Sequence, residues 1–210
     1  MKQSYKIFIN NIVIILAQHK QGFKLPKRIE NITIYNINKL SNLQKLITAI
    51  EIGSITENLV ILSDDLDWLQ KNFLKSFKIV IAGGGLVANS TGKVLMMYRK
   101  KKWDLPKGKI EKKEILIDGA LREVMEETGA KDLIVKKSLN HTFHLFSRNG
   151  NYKLKKTYWY LMTTSYEGLL EPQLEEGIAK AEWKTKEEVP VLMENAYKNI
   201  KLLFEEMDWI

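Results

Sequence analysis

The chain has 210 residues, 45% of them hydrophobic, and carries 33 Lys and Arg against 25 Asp and Glu for a formal net charge of +8. That is enough apolar material for one large domain or two small ones, and the absence of cysteine excludes both a disulfide framework and a thiolate metal site. No stretch approaches the eighteen or so apolar residues a membrane-crossing helix needs, while the positive balance suits nucleic acid, an anionic surface or a polyanionic small molecule.

The opening places Lys2 before an apolar run to Leu16, but Asn10 and Asn11 interrupt it and no small-residue cleavage site follows. The pattern predicts a hairpin, with strands over 5–9 and 12–16 about an Asn-Asn turn, not a signal peptide; with no cysteine, a reducing cytoplasmic setting is the expectation. Residues 32–35 read as another short strand. Leu40, Leu43, Leu46, Ile47 and Ile50 recur at helical spacing, and 59–62 form a buried type of strand. Ser63 is placed to cap a second helix that turns Leu66, Leu69, Phe73 and Phe77 inward. Residues 1–77 thus read as a small α/β domain with no catalytic constellation, suited to homodimerisation or to walling an active site.

From Lys78 a second domain, 78–210, begins with strands over 78–88 and 93–99 joined by the turn Asn89-Ser90-Thr91-Gly92. The run Gly83-Gly84-Gly85 precedes neither Gly-Lys-Ser/Thr nor a helix, so it marks a bulge or a close approach of backbone, not a phosphate loop. Further on, 139–146 and 152–163 read as a hairpin about Asn149-Gly150, and 179–183 as a short strand. His141 and His144, three apart on a predicted strand, face opposite sides and do not make a joint metal site. Thr185 and Glu188 form a capping box ahead of Pro190, and Leu192, Ala196, Ile200, Leu203 and Phe204 describe one last amphipathic helix.

The densest signal lies between these strands. Gly108-Lys109-Ile110-Glu111-Lys112-Lys113-Glu114 is followed, seven residues later, by Arg122-Glu123-Val124-Met125-Glu126-Glu127-Thr128-Gly129-Ala130. Residues 115–128 read as a helix closed by a left-handed Gly129. On it Glu123, Glu126 and Glu127 stand at i, i+3 and i+4, while Ile117, Ala120, Leu121 and Val124 form a separate apolar stripe. Carboxylates crowded on one stripe repel by a few tenths of a kcal/mol per pair. The crowding makes sense if hard divalent cations sit among them, because Mg²⁺ and Mn²⁺ prefer carboxylate, water and phosphate oxygens.

This frame resembles the Nudix box, and the chain resembles the Nudix hydrolases. A chance match in a chain this long is on the order of one in ten million or less. The resemblance implies an α/β/α sandwich with a mixed sheet, and Mg²⁺ or Mn²⁺ as cofactor. It implies a Gly108 carbonyl directed at a metal, ligation by Glu123, Glu126 and Glu127, a Glu114 that ligates or orients, and an Arg122 that anchors the helix by pairing with a box carboxylate. The implied reaction is hydrolysis of a nucleoside-diphosphate-linked compound.

Substrate clues lie on either side of the box. Trp103-Asp104-Leu105-Pro106-Lys107-Gly108-Lys109 is similar to the Pro-Lys-Gly loop of members that cleave dinucleoside polyphosphates or diphosphoinositol polyphosphates. In the diadenosine tetraphosphate branch, hairpin aromatics sandwich adenine and a later loop supplies acidic groups; Tyr158, Trp159 and Tyr160, then Glu175 and Glu176, match these places, although the order of histidine and glutamate there departs from the branch. A base stacked on an aromatic contributes about 1–3 kcal/mol, and strand alternation lets only one face serve, the alternative being that these aromatics are core. Of the many basic residues, Lys107 is the expected phosphate contact, and the run Arg99 to Lys102 reads as solvated surface. ADP-ribose or another nucleoside diphosphate sugar is the second substrate class, and a nucleotide-sensing regulatory module the reading of another kind. No helix-turn-helix with a basic recognition helix occurs, so nucleic acid is not the expected partner.

Overall fold

The computed structural model describes residues 4–9, 12–19, 29–148 and 150–209; the turn residues Asn10, Asn11 and Asn149 lie outside the described residues. In chain order the elements are β1 (Ser4–Ile9), β2 (Ile12–Gln18), β3 (Ile32–Asn36), α1 (Leu40–Glu51), β4 (Asn58–Ser63), α2 (Leu66–Lys75), β5 (Lys78–Asn89), β6 (Val94–Arg99), β7 (Lys102–Asp104) and β8 (Lys107–Lys109). There follow α3 (Leu116–Thr128), β9 (Ile134–Ser138), β10 (Thr142–Arg148), β11 (Asn151–Thr164), a single 3-10 turn (Leu174–Glu176), β12 (Ile178–Lys184), α4 (Val189–Glu194) and α5 (Lys198–Glu206). The chain divides into two compact units: Met1–Ile79 with Phe143–Lys155, and Val80–Thr142 with Lys156–Ile210.

In the first unit the strand order is β10-β1-β2-β4-β3. β1 and β2 are antiparallel, whereas β2–β4, β3–β4 and β1–β10 pair in parallel. The near-continuous apolar run of β2 suits a central strand with both faces covered, and Val13 to Ala17 are all buried. Helix α1 buries Leu43, Leu46, Ile47 and Ile50, and α2 buries Leu66, Leu69 and Phe73, against Ile7, Ile14, Leu59 and Ile61 of the strands and Phe143, Leu145 and Leu154. The expected cap is displaced by two residues. Asp65 caps α2, its Oδ1 accepting from the Trp68 N–H at 2.9 Å, because Ser63 is the buried last residue of β4 and its hydroxyl donates to Asn38 Oδ1 at 2.8 Å.

The second unit is a sheet in the order β12-β6-β5-β11, with β7 added on β6, β8 on β5 and β9 on β11. Alternation along its strands sends neighbours to opposite faces. Leu86, Val94, Met96 and Trp159 meet Val189, Met193, Ile200, Leu203 and Phe204 of α4 and α5; Val87, Leu95, Tyr160 and Met162 meet Ala120 and Val124 of α3. Helices thus cover both faces in an α/β/α sandwich. Among the described residues no helix is long and apolar enough to cross a membrane.

Four sequence expectations need correction here. Leu139 to His141 are not strand; β10 begins at Thr142, and Leu139 instead donates its N–H to the Trp159 carbonyl at 2.8 Å. Strand β9, mostly exposed, had no place in the expected order. The last helix is two, broken at Asn195, because that residue's carbonyl accepts the Trp103 N–H at 3.0 Å and its amide donates to the Lys101 carbonyl at 2.9 Å. Ile117 is exposed, so the buried stripe of α3 is carried by Ala120 and Val124. The capping box at Thr185 and Glu188 does form, with the Thr185 N–H donating to Glu188 Oε2 at 2.8 Å and the Glu188 N–H to Thr185 Oγ1 at 3.4 Å.

Candidate active site

The site is built where three glycines let two strands and a helix close up. Gly83 and Gly84 of β5 pair with Gly108 and Lys107 of β8, and the Gly85 N–H donates to the Pro106 carbonyl at 3.1 Å. A Cβ at Gly84 would collide with that carbonyl oxygen and with the Lys107 main chain. Glycine in β5 therefore serves close approach, and it brings Gly108 against α3. There the Glu123 carboxylate occupies the place that a side chain on residue 108 would take.

Helix α3 runs from Ile115 as cap to Gly129, whose φ of 70° closes it in the left-handed region. Its Arg122 is the hub of the acidic cluster. Nε and Nη2 hold the two oxygens of Glu114 side-on at 2.8 and 2.9 Å, Nη1 donates to Glu123 Oε1 at 2.9 Å and Glu126 Oε2 at 2.8 Å, and Nη2 reaches the Lys109 carbonyl at 3.2 Å. Glu114 also accepts from the Glu111 N–H at 2.8 Å; the Arg122 bond above all, then that backbone bond, holds its carboxyl down to about 2. One guanidinium thus binds loop to helix and relieves the repulsion among the glutamates. The second oxygens, Glu123 Oε2 and Glu126 Oε1, carry none of these bonds.

Glu127 takes a different direction. It is 1% exposed, accepts the Lys107 N–H on Oε2 at 2.6 Å, and faces Arg99 Nη1 at 3.4 Å from Oε1. Burial pushes its carboxyl up to about 7 against the opposing pull of Lys107 and Arg99, and burial likewise raises Glu123 against the pull of Arg122. Arg99 extends the chain of charges to Glu176 Oε2, 3.3 Å from Nη2. The three glutamates therefore share a helix but not a point: Arg122 draws two and the Lys107 strap draws the third. Among the described residues no three acidic or imidazole groups converge tightly enough to grip an ion unaided.

In kind, the donors fit a hard divalent cation. Carboxylate oxygens of Glu123, Glu126 and Glu127 lie on one helix, with Glu123 against Gly108, and oxygen is the donor such an ion prefers.

The substrate candidates separate. Lys107 does not point its ammonium outward: Nζ pairs with the buried Asp104 at 2.8 Å, and although burial works against its charge, Asp104 and Glu127 together raise its pKa. Trp159 is 1% exposed, with its indole N–H on Thr142 Oγ1 at 2.9 Å, and Tyr160 is 5% exposed in the core beneath α3; the alternative reading holds for both, and they are not free to stack a base. Tyr158 is only half-buried, with the Lys156 ammonium 4.8 Å from its ring centre and His141 beside it. Glu176 joins the charge chain, and Glu175 is exposed on the same 3-10 turn. Sequence reasoning passed over Arg99 and Asp104. An aspartate between Trp103 and Leu105 was the available signal for the second; an arginine leading a lysine run gave none for the first.

Parts of the chain are similar to known proteins. A curated relative, mRNA decapping complex subunit 2 of Schizosaccharomyces pombe (strain 972 / ATCC 24843), is 31% identical over 102 residues, which is 49% of this chain and only 13% of the relative's length. Among solved structures, a C. elegans Ap4A hydrolase in a binary complex is similar at 18% identity and a TM-score of 0.48, covering 61% of this chain and 95% of that one. The MutT protein from Methanosarcina mazei Go1 is similar at 24% identity and a TM-score of 0.49, covering 63% and 94%. Residues 79–205, well over half the chain, match the family model of the NUDIX domain, and the chain belongs to the Nudix family.

Proposed function

We propose that this protein hydrolyses the phosphoanhydride bond of a nucleotide polyphosphate with the help of Mg²⁺ or Mn²⁺, diadenosine tetraphosphate being the sharpest candidate. The observation that carries the reading is the Arg122 hub, which fixes Glu114, Glu123, Glu126 and the Lys109 carbonyl about one guanidinium and so presents the box in a single arrangement. Glu123, Glu126 and Glu127, with the Gly108 carbonyl, would hold the cation. Bound there, a divalent ion supplies neutralisation of the diphosphate and acidification of a water.

The remaining work belongs to the protein. Arg122 orients two carboxylates through one oxygen of each, and the Lys107 N–H keeps Glu127 from rotating away. Exposed lysines of the box loop, Lys109, Lys112 and Lys113, take over the phosphate contact expected of Lys107, whose charge is used on Asp104. Tyr158 is the platform for a base. Leu105 and Ile110, both buried, hold the loop between them against the sheet.

A second reading places the same bond at the 5′ end of an RNA. The relative's name includes mRNA decapping, a cap is itself a dinucleoside polyphosphate, and the net charge of +8 suits a polyanion. The expectation against nucleic acid rested on a missing recognition helix, which an RNA end does not require. Product analysis after incubation with Mg²⁺ or Mn²⁺ and diadenosine tetraphosphate, ADP-ribose or capped RNA separates the readings. Cleavage of the first is expected; turnover confined to ADP-ribose or to capped RNA removes it, and turnover of none removes the proposal.

A further inference from the structure

We infer that Arg99 is a positioning residue that ties Glu176, and not its neighbour Glu175, to the box helix. The inference rests on the proposed hydrolysis but concerns a contact that can be measured without it. Arg99 sits between two carboxylates, 3.4 Å from Glu127 and 3.3 Å from Glu176, on separate arms of its fork. The geometry behind it is rigid. As the last residue of β6, Arg99 is paired with Lys102 of β7 on one side and with Ile178 of β12 on the other. The next two residues, Lys100 and Lys101, both lie in the left-handed region at φ of 51° and 63°, a conformation that non-glycine residues resist by about 1–2 kcal/mol each. Asn195 holds that turn through the Lys101 carbonyl.

The loop arriving from the other direction is held by main-chain bonds at its start and again within its turn. The Glu171 N–H donates to the Thr128 carbonyl at 2.8 Å and the Gln173 N–H to the Glu127 carbonyl at 3.1 Å; within the turn the Glu176 N–H donates to the Gln173 carbonyl at 3.1 Å and the Gly177 N–H to the Leu174 carbonyl at 2.9 Å, before Ile178 enters β12. Between them the 3-10 turn carries two adjacent acids, and Gly177 at φ of 75° reverses the chain. Those bonds shape the turn, and of its two acids the Arg99 fork engages Glu176. A lysine could neutralise one carboxylate but has no second arm for the other.

The test is a double-variant cycle with Arg99→Met, Glu176→Gln and the pair, read by steady-state kinetics and by amide exchange in the metal-free protein. Each single change lowers kcat about tenfold or more while KM stays within about twofold, and the pair is no worse than either alone. Losses that multiply in the pair would overturn the inference. Exchange at residues 174–177 speeds up about tenfold or more in Arg99→Met and in Glu176→Gln; protection equal to the parent's in both overturns it as well. Arg99→Lys keeps charge and stem, is expected to behave like Arg99→Met, and replaces it in the cycle if that variant does not fold; full activity in Arg99→Lys also counts against the tether. If the unaltered protein turns over no substrate, the proposed function fails, and the exchange data alone decide the role of Arg99.

Discussion

Lys107 and Glu127 meet through the main chain: the Lys107 N–H donates to Glu127 Oε2 at 2.6 Å, while the Lys107 ammonium turns away to Asp104. A nearly inaccessible carboxylate is thereby held by one backbone donor and the edge of a guanidinium, and burial raises it from 4.5 to about 7. The direction is the reverse of an ordinary paired carboxylate. Between those two pH values the unfolded chain has released the proton and the folded chain keeps it, so stability falls as pH rises. In metal-free protein, denaturant midpoints between pH 4.5 and pH 7 should show the parent losing about 3 kcal/mol relative to Glu127→Gln, which has nothing there to ionise. Parallel profiles would show that Glu127 is already charged near pH 5. With Mg²⁺ or Mn²⁺, the same variant should lose kcat by about a hundredfold or more.

Arg122 should matter to folding as well as to chemistry. It joins Glu114, Glu123, Glu126 and the Lys109 carbonyl, and its side chain is 27% exposed, so the ion pairs are partly screened. Arg122→Ala leaves three glutamates facing one another, and a loss of about 1–3 kcal/mol is expected in chemical denaturation. Arg122→Lys should recover little of it, because an ammonium cannot grip Glu114 side-on and still reach Glu123 and Glu126. Full recovery with lysine would mean that charge alone, and not the fork, holds the box loop to α3.

Adjacent aromatics on β11 should behave as opposites. Trp159→Ala empties a fully buried site and removes the partner of Thr142, at a cost of about 3–5 kcal/mol, visible as a fall in melting temperature with little change in the KM of the surviving protein. Tyr158→Ala, on the half-buried face, should leave the melting temperature within a few degrees and raise KM for adenine-bearing substrates about five- to a hundredfold, the equivalent of one stacked base. An unchanged KM would send Tyr158 back to a packing role.

These contrasts mark where the sequence was legible. Helix α3 was plain because Ala120 and Val124 recur at helical spacing and Gly129 closes it, and β5, β6, β11 and β12 were read close to their bounds, whereas the short β7, β8 and β9 were not. Asp65 and Ser63 are both good caps, and only the end of β4 decides between them. Asn195 breaks the last helix for the sake of a partner 94 residues away, which no local pattern reports. Arg99 is invisible for a related reason: the lysines after it make a basic run that reads as solvent-facing until β12 is laid alongside. The crowding of the box carboxylates on one stripe was inferred from spacing, but the turning of Glu127 toward Lys107 required the strand pairing that Gly83 and Gly84 permit.

That pairing is itself testable. A methyl at position 84 meets the Pro106 carbonyl and the Lys107 main chain, neither of which can yield without dragging β8 from β5, so Gly84→Ala should destabilise by about 1–3 kcal/mol or more. At position 108 the obstacle is the Glu123 carboxylate, the far end of a flexible side chain. Gly108→Ala should therefore fold nearly as well as the parent but lose metal affinity, by isothermal titration with Mn²⁺, because Glu123 is pushed aside. If the alanine at 84 is tolerated and the one at 108 unfolds the protein, the assignment of backbone and side-chain obstacles is reversed.

Removal of the leading segment should not be silent. Phe143 and Leu145 of β10 and Leu154 of β11 are buried in the core of the first unit, and β10 pairs in parallel with β1 through Ile7 and Phe8. A chain comprising residues 78–210 keeps those three side chains but loses what covers them, and it leaves β10 with an unpaired edge, the arrangement that invites association between copies. Light scattering and size exclusion should show that shortened chain aggregating at micromolar concentration. Replacing Phe143, Leu145 and Leu154 with threonine in the shortened chain should restore a monomer, whereas the same three changes in the full chain should lower its stability by several kcal/mol, since each empties part of a packed core. A shortened chain that stays monomeric and melts where the full chain does would show that the hairpin folds without β1.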